Sequence, residues 1–278
     1  MKKSIQICFD ELFELKCALA AGAGFRDVAV NFTPVFDKSE SEWDAITEKI
    51  GGILADNGLS CNQIHPYYYD LRISSEIREE RYEFAMKQSV KAAAKLGAAW
   101  CTFHPRSAVS KGFSTKAAFE DNREDLSASL EVAHRYGTGI AVENLPIFDG
   151  IRPVMPFYSS NPEDLCELVD SFADKQMGVC WDFGHANLMC MDMADAIRLV
   201  GSRIQCTHVH NNFQRFDDHL PPDQGNIPWD KALAALHAVG YTGALTLETH
   251  CHYTEPMVLD AFVKYNYGCL TWLETFFK

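Results

Sequence analysis

The sequence predicts an α/β protein folded as a single (β/α)8 TIM barrel over residues 1–278, and three observations predict it. Short β-branched or alternating runs bounded by turn residues occur eight times, and amphipathic stretches of helical period separate them. The alternation runs from end to end with no linker, low-complexity tract or repeat. Eight such units in about 250 residues is the length this barrel takes. A doubly wound open sheet is the competing architecture, but it uses fewer strands and should carry a Gly-rich phosphate turn after strand one, where this chain has CFDELFEL.

The expected strands follow in order: Ser4–Asp10, Asp27–Phe32, Ser60–His65, Ala99–His104, Gly139–Asn144, Met177–Phe183, Ile204–His210 and Gly243–Thr249. Among the helices, Ile77–Leu96 repeats Phe84, Ala85, Gln88, Ala92 and Leu96 at three-to-four spacing, and Phe119–Tyr136 ends at Gly137. Helices at Glu40–Asp56 and Trp229–Val239 end before Gly58 and Gly240, the residue type that tolerates a left-handed helix stop. The longest loop, Pro146–Asn161, is rich in Pro, Phe and Tyr and is expected over the barrel mouth.

Composition narrows the partners. The 278 residues include 25 Lys and Arg against 38 Asp and Glu, a formal net charge of −13, with 47% hydrophobic and 23% charged residues. That is the make-up of an ordinary globular protein, and the acidity disfavours a nonspecific nucleic-acid or membrane surface, which needs basic patches. No apolar run approaches the roughly 18 to 20 residues of a membrane helix, and the start, MKKSIQICFDELFELK, lacks a signal segment, so a cytoplasmic location is expected. Ten cysteines lie singly without a CxxC pair and read as buried, reduced core thiols.

Chemistry in such a barrel sits where strands end. The expected strand ends carry His65, His104, Glu143, Asp182, His210 and Glu248, all metal-ligand types. The loops that follow add His185, one turn past Asp182, and the Asp217-Asp218-His219 run. Because residues i and i+2 share a face, Ala141 faces inward with Glu143, Cys180 with Asp182, and Thr246 with Glu248. His208 and His210 share a face too; His210, nearer the expected end, is the expected ligand and His208 a deeper hydrogen-bonded neighbour. A lone buried His is more often a satisfied core residue. Three carboxylates converging in one cleft, however, repel without a cation, and a divalent metal is the economical reading. Trp181, Trp229, Phe9 and Phe32 suit a sugar-pocket wall or plain core equally.

These residues resemble the xylose-isomerase-like TIM barrels, a superfamily of sugar (phosphate) isomerases and epimerases, inosose dehydratase and the endonuclease IV enzymes. The carriers are FHP at Phe103–Pro105, VEN at Val142–Asn144, WDFGHAN at Trp181–Asn187, HVH at His208–His210, DDHLPPDQGNIPW at Asp217–Trp229 and LET at Leu247–Thr249. The resemblance implies one divalent metal, Mn2+ or Zn2+ with Mg2+ or Co2+ as alternatives, held by Glu143, Asp182, His210 and Glu248. It also implies a three-zinc cluster in the endonuclease branch, whose further ligands fall on His65, His104, His185, Asp217 and His219. One departure is Phe213, where many relatives carry Asp.

The expected activity is a sugar, sugar phosphate or polyol isomerase or epimerase working through a metal-stabilised enediolate, with Glu143 and Glu248 exchanging the proton. His65, His104, His185, Asp217 and His219 are then expected to hold substrate hydroxyls. The alternatives are an endonuclease IV-like zinc phosphodiesterase on abasic DNA, a metal-dependent dehydratase, and a non-catalytic metabolite-binding barrel. The few basic residues expected near the mouth, Arg106, Lys111, Arg152 and Arg215, favour a small sugar or sugar phosphate over a nucleic acid. The chain is read as a possible homo-oligomer.

Overall fold

A computed structural model of the chain describes residues 1–67, 76–105, 115–146, 148–149, 152–153 and 158–278. Eight parallel strands form the predicted barrel: β1 (Lys2–Cys8), β2 (Asp27–Asn31), β3 (Ser60–His65), β4 (Trp100–Phe103), β5 (Gly139–Glu143), β6 (Met177–Asp182), β7 (Ile204–His208) and β8 (Ala244–Leu247). Each hydrogen-bonds to the next in sequence, and β8 returns to β1 through Lys2 to Ile5 against Ala244 to Leu247. The last seam, between β7 and β8, is closed above the strands by a single bridge, Val209 to Leu247. Val209 donates to the Thr246 carbonyl at 2.8 Å and Glu248 donates to the Val209 carbonyl at 3.1 Å.

The helices form the outer layer: α1 (Phe13–Ala23), α2 (Glu40–Asp56), α3 (Glu76–Lys95), α4 (Thr115–Tyr136), α5 (Pro162–Asp170), α6 (Phe183–Leu188), α7 (Met193–Val200), α8 (Trp229–Ala238) and α9 (Pro256–Leu273). Ser39 and Glu42 start α2 with a reciprocal capping box, which satisfies two otherwise orphaned N–H groups. The predicted stops at Gly58 and Gly240 adopt φ of 62° and 80°, the left-handed region that costs glycine nothing. No helix among the described residues is long and apolar enough to cross a membrane.

Alternation along the strands sorts the side chains. Val28, Val30, Ile64, Ile140, Val142 and Val179 face outward into one core with Ile50, Leu54, Val90, Leu130 and Leu168 of the helices. The inward positions are small and polar instead. Ser4 donates to Asn62 at 2.7 Å, Asn62 to Thr246 at 3.1 Å, and Thr102 lies 3.8 Å from the Cys206 sulfur.

Trp181, Trp229 and Phe32 belong to the outer core, with Phe32 stacked on Trp43 at 5.3 Å, so they are packing residues and not pocket walls. All ten cysteines are free, but Cys190 is exposed and Cys8 and Cys251 are half-buried, which corrects the reading of ten buried thiols. Much of the Pro146–Asn161 loop (147, 150–151 and 154–157) lies outside the described residues, as do Arg106, Lys111 and the side chain of Arg152. Its last part, Tyr158–Ser160, is a buried turn whose Ser159 hydroxyl accepts from Leu145 N–H at 3.1 Å.

Candidate functional site

The barrel delivers the expected residues to its C-terminal end. His65, Glu143 and Asp182 are the last residues of β3, β5 and β6, and His104 and Glu248 are the first after β4 and β8. On β7 the strand ends at His208, two residues earlier than expected, and Val209 beyond it makes a single parallel bridge to Leu247 of β8. His65, Glu143, Asp182, His208, His210 and Glu248 are all buried.

Glu143 is the hub. One of its oxygens lies 3.1 Å from His104 Nε2 and 3.7 Å from His65 Nε2, the other 3.2 Å from His185 Nδ1 and 3.3 Å from His208 Nδ1. The same His208 Nδ1 stands 3.1 Å from Glu248 and 3.8 Å from Asp182. Glu143, Asp182, His208 and Glu248 thus offer four donor atoms all within 4.8 Å of one another, and His65, His104 and Glu143 form a second such set. It is His208, not the expected His210, that the structure brings into the set with the three carboxylates. His210 instead joins His185, Asp217 and His219 in a third set, with its Nε2 3.0 Å from Asp182. Asp182 therefore stands between the deep set and the outer one.

Local sequence explains how these groups are aimed. In Val142–Asn144, Asn144 exchanges two hydrogen bonds with the Asp182 backbone, at 2.8 and 2.7 Å, which ties the ends of β5 and β6 together. Asp182 then caps α6 by accepting from His185 N–H at 2.7 Å, so the strand end and the helix start are one device. Gly184 lies so close to His210 that a Cβ there would collide with the imidazole ring. Gln6, half-buried on β1, donates to Glu248 at 2.7 Å, a contact that sequence reading missed although Gln6 shares its face with Cys8. His219 has a φ of 47°, a left-handed backbone that only a well-supported non-glycine residue keeps.

Burial and charge set the protonation of the cluster. Burial opposes ionisation of Glu143, Glu248 and Asp217, yet the facing imidazoles hold all three carboxyls well below their usual range: His208 and His104 for Glu143, His208 for Glu248, His185 for Asp217. Conversely, burial disfavours imidazolium at His208 and His185, but Glu248 with Glu143, and Asp182 with Asp217, raise both well above normal. For His219 burial is again outweighed, by its contact with Asp217 and the charge of Glu248, and it is pushed up to about 9. At His104 burial prevails over Glu143, and the imidazole stays below its ordinary value.

This donor set fits a divalent cation. Both Glu143 oxygens, both His208 nitrogens, Nδ1 of His210 and one Asp217 oxygen are buried with no hydrogen bond of acceptable geometry, a costly arrangement unless a further group satisfies them. Nδ1 of His65 faces the Pro66 carbonyl at 2.8 Å and Nδ1 of His219 the Glu248 carbonyl at 2.7 Å, contacts that make Nδ1 the donor and leave Nε2 as the metal-facing lone pair. The protons now balancing the carboxylates are those a cation would displace.

Among the described basic candidates, Arg215 is exposed on the loop after β7, and Phe213 at the departing position is exposed as well.

The family model described as xylose isomerase-like TIM barrel matches residues 17–263. An uncharacterised protein of Methanocaldococcus jannaschii is 32% identical over 131 residues, 46% of this chain and 43% of that protein. The D-psicose 3-epimerase of Enterocloster bolteae is 33% identical over 86 residues, 31% of this chain and 27% of its own. The chain thus spans less than half the length of these curated relatives. Among solved structures, D-psicose 3-epimerase from Clostridium cellulolyticum H10, in the presence of D-tagatose, superposes with a TM-score of 0.77 over 100% of both chains at 17% identity, a likeness of fold.

Proposed function

The chain belongs to the xylose isomerase-like TIM barrel family, and from the cleft at its strand ends we propose that it is a divalent-metal-dependent isomerase or epimerase of a small sugar, sugar phosphate or polyol. The observation that carries this reading is the pair Glu143 and Glu248, two buried carboxylates that approach the same His208 nitrogen at 3.3 and 3.1 Å from different strands. A sugar seated between them has a carboxylate on either side of the carbon next to its carbonyl.

One carboxylate removes the proton from that carbon, leaving an enediolate, and the other returns a proton to the opposite face for epimerisation; a single carboxylate moving it between neighbouring carbons gives isomerisation. Glu143, Asp182, Glu248 and a histidine of the His208–His210 pair would hold the cation, which supplies positive charge toward adjacent substrate oxygens as they become negative. His104, His185, Asp217 and His219 line the outward side and hold substrate hydroxyls. Gln6 fixes the Glu248 carboxylate by its 2.7 Å hydrogen bond. The epimerase activity of the relative from Enterocloster bolteae supports the same reading.

Turnover of a ketose panel in deuterated water tests it. Label should appear at the carbon next to the carbonyl, and Glu143→Gln and Glu248→Gln should each abolish exchange. Turnover without label would replace proton transfer with hydride shift or another reaction.

A second reading is favoured by one observation, that further donor sets stand beside the deep one, among them His65/His104/Glu143 and His185/His210/Asp217/His219. They suit an endonuclease IV-like phosphodiesterase that works with several zinc ions on abasic DNA. The net charge of −13 opposes a polyanionic substrate. Metal content of the purified protein, measured beside cleavage of abasic duplex DNA, separates the two: three zinc ions with cleavage would make the second reading correct.

A further inference from the structure

At the opposite end of the barrel, where the strands start, lies a cavity of about 440 Å³ that the carboxylate cleft does not share. Two strand irregularities shape it. Against β2 the partners on β3 step from Cys61 to Gln63, and against β6 the partners on β7 step from Ile204 to Cys206, so Asn62 and Gln205 are each one residue more than the ladder needs. A bulge of this kind re-aims a side chain, and both amides line the cavity. Glycines make room for the larger groups around it: a Cβ on Gly139 would lie 2.3 Å from the Trp100 ring, one on Gly178 2.4 Å from Gln205, and one on Gly243 2.4 Å from the Tyr241 hydroxyl. Each side chain lies over a backbone position that glycine leaves open.

The amides are held in one orientation by their neighbours. Gln205 donates to the Ser202 carbonyl at 2.9 Å, while Asn62 accepts from Ser4 at 2.7 Å and donates to Thr246 at 3.1 Å. An NH2 group has two hydrogens, so each amide keeps one for an occupant. One step further in, Gln63, the Cα partner of Trp100, faces the barrel interior opposite to Ile64 and has both amide atoms buried without a hydrogen bond. The charged residues of the lining are Lys2 and Asp27, one of each sign, and the mouth therefore offers no net charge to an anion.

We propose that this N-terminal mouth binds a neutral polyhydroxy compound, a sugar or polyol, seated against Trp100 with its hydroxyls on Asn62, Gln205, Ser60 and Thr242. The half-buried indole supplies the apolar surface that the C–H face of such a compound needs. A hydroxyl both donates and accepts, and amides and hydroxyls answer it in both senses, whereas a phosphate calls for unopposed cations. The volume falls within the roughly 300 to 1,000 Å³ of small-molecule pockets. Glu143 and Glu248 stand at the other end of the strands, so this site holds its ligand without turning it over, and it exists whichever reaction the cleft performs.

The test is a calorimetric titration of the chelator-stripped protein with sorbitol, D-glucose, D-fructose, D-galactose, maltose and sucrose, with inorganic phosphate as the charged control. Saturable binding of at least one neutral compound at millimolar concentration is expected, accompanied by a change in tryptophan emission, and no binding of phosphate. Gln205→Ala, which removes a donor, and Thr242→Tyr, which fills the exposed rim, should each weaken that binding by roughly tenfold or more. Trp100→Phe should weaken it and remove the emission change. The double variant Glu143→Gln, Glu248→Gln should bind the same compound with unchanged affinity. Absence of binding across the panel, or binding of phosphate alone, would overturn the proposal. So would binding that the double variant loses while Gln205→Ala and Thr242→Tyr retain it, because that ligand sits in the carboxylate cleft.

Discussion

The deep donor set and the outer one reach the same cleft by different physical means. Glu143 and Asp182 end strands held by backbone ladders on both sides, and His208 and Glu248 end or adjoin β7 and β8, each with a ladder on one side and the Val209–Leu247 bridge on the other, so their convergence is a property of the barrel itself. His185, His210, Asp217 and His219 stand on α6 and on the 210–228 segment, and side-chain amides hold that segment in place. Asn187 donates to Asn212 at 2.9 Å and to Asn226 at 2.7 Å, Asn212 to the Gly184 carbonyl at 2.9 Å, and Asn211 to the Pro222 carbonyl at 2.6 Å. The ladder cannot be removed without unfolding the protein, whereas the amide lattice can be cut one bond at a time. Asp182 belongs to both, facing His208 at 3.8 Å and His210 at 3.0 Å, so the deep set is expected to organise the outer one and not the reverse.

The largest expected effect comes from the deep set. Glu143→Gln or Glu248→Gln keeps the side-chain volume but cannot accept a proton, and turnover should fall by roughly 10² to 10⁴-fold with the fold retained. Adding Asp182→Asn to Glu143→Gln should also strip the bound metal. Elemental analysis finding wild-type metal in that double variant would remove these residues from the ligand set.

A cut in the outer lattice should be milder. Asn187→Ala removes the donor that joins α6 to Asn212 and Asn226, loosening the Asp217 and His219 positions while leaving the strand ends alone. Affinity for the sugar, which rests on the hydroxyl contacts of His185, Asp217 and His219, should fall by roughly tenfold, with little change in metal affinity at the deep set. Equal weakening of sugar and metal binding in calorimetric titrations would mean that the two regions are one unit and the contrast drawn above fails.

What the sequence disclosed follows the same division. The eight strands were legible because a buried parallel strand has a two-residue period and turn residues at its ends, and the observed elements stay within a few residues of the expected ones. Glu143, Asp182 and Glu248 were legible for that reason. The choice between His208 and His210 was not, since the two share a strand face and which ring meets Glu143 and Glu248 depends on how far β7 runs against its neighbours, set by contacts between segments distant in sequence such as Val209 with Leu247. The same limit hid the Cys180 sulfur beside Glu143 and His208. Its inward direction was readable from Asp182, but its distance to Glu143 and His208 depends on how closely three strands approach inside the barrel. The amide lattice was visible only as an Asn- and Gln-rich stretch, a composition that does not say which amide meets which carbonyl.

The smallest effect is expected at Gln6, and it asks whether the deep set needs any side-chain support. Gln6 donates to Glu248 at 2.7 Å from a half-buried position, while the facing charge of His208 acts on the same carboxylate from 3.1 Å. A hydrogen bond to a charged group contributes about 1.5 to 3 kcal/mol when it is lost without replacement. Here water can enter where the amide was and His208 remains, so the lower end applies, which corresponds to about a tenfold fall in kcat. Gln6→Leu should produce that fall with KM nearly unchanged, because the amide acts on Glu248 and not on the sugar. Gln6→Asn, too short to span the gap, should match it. A rise in KM with kcat preserved would show instead that Gln6 contacts the substrate, and a loss as deep as that of Glu248→Gln would show that the carboxylate depends on the amide as much as on the barrel that carries it.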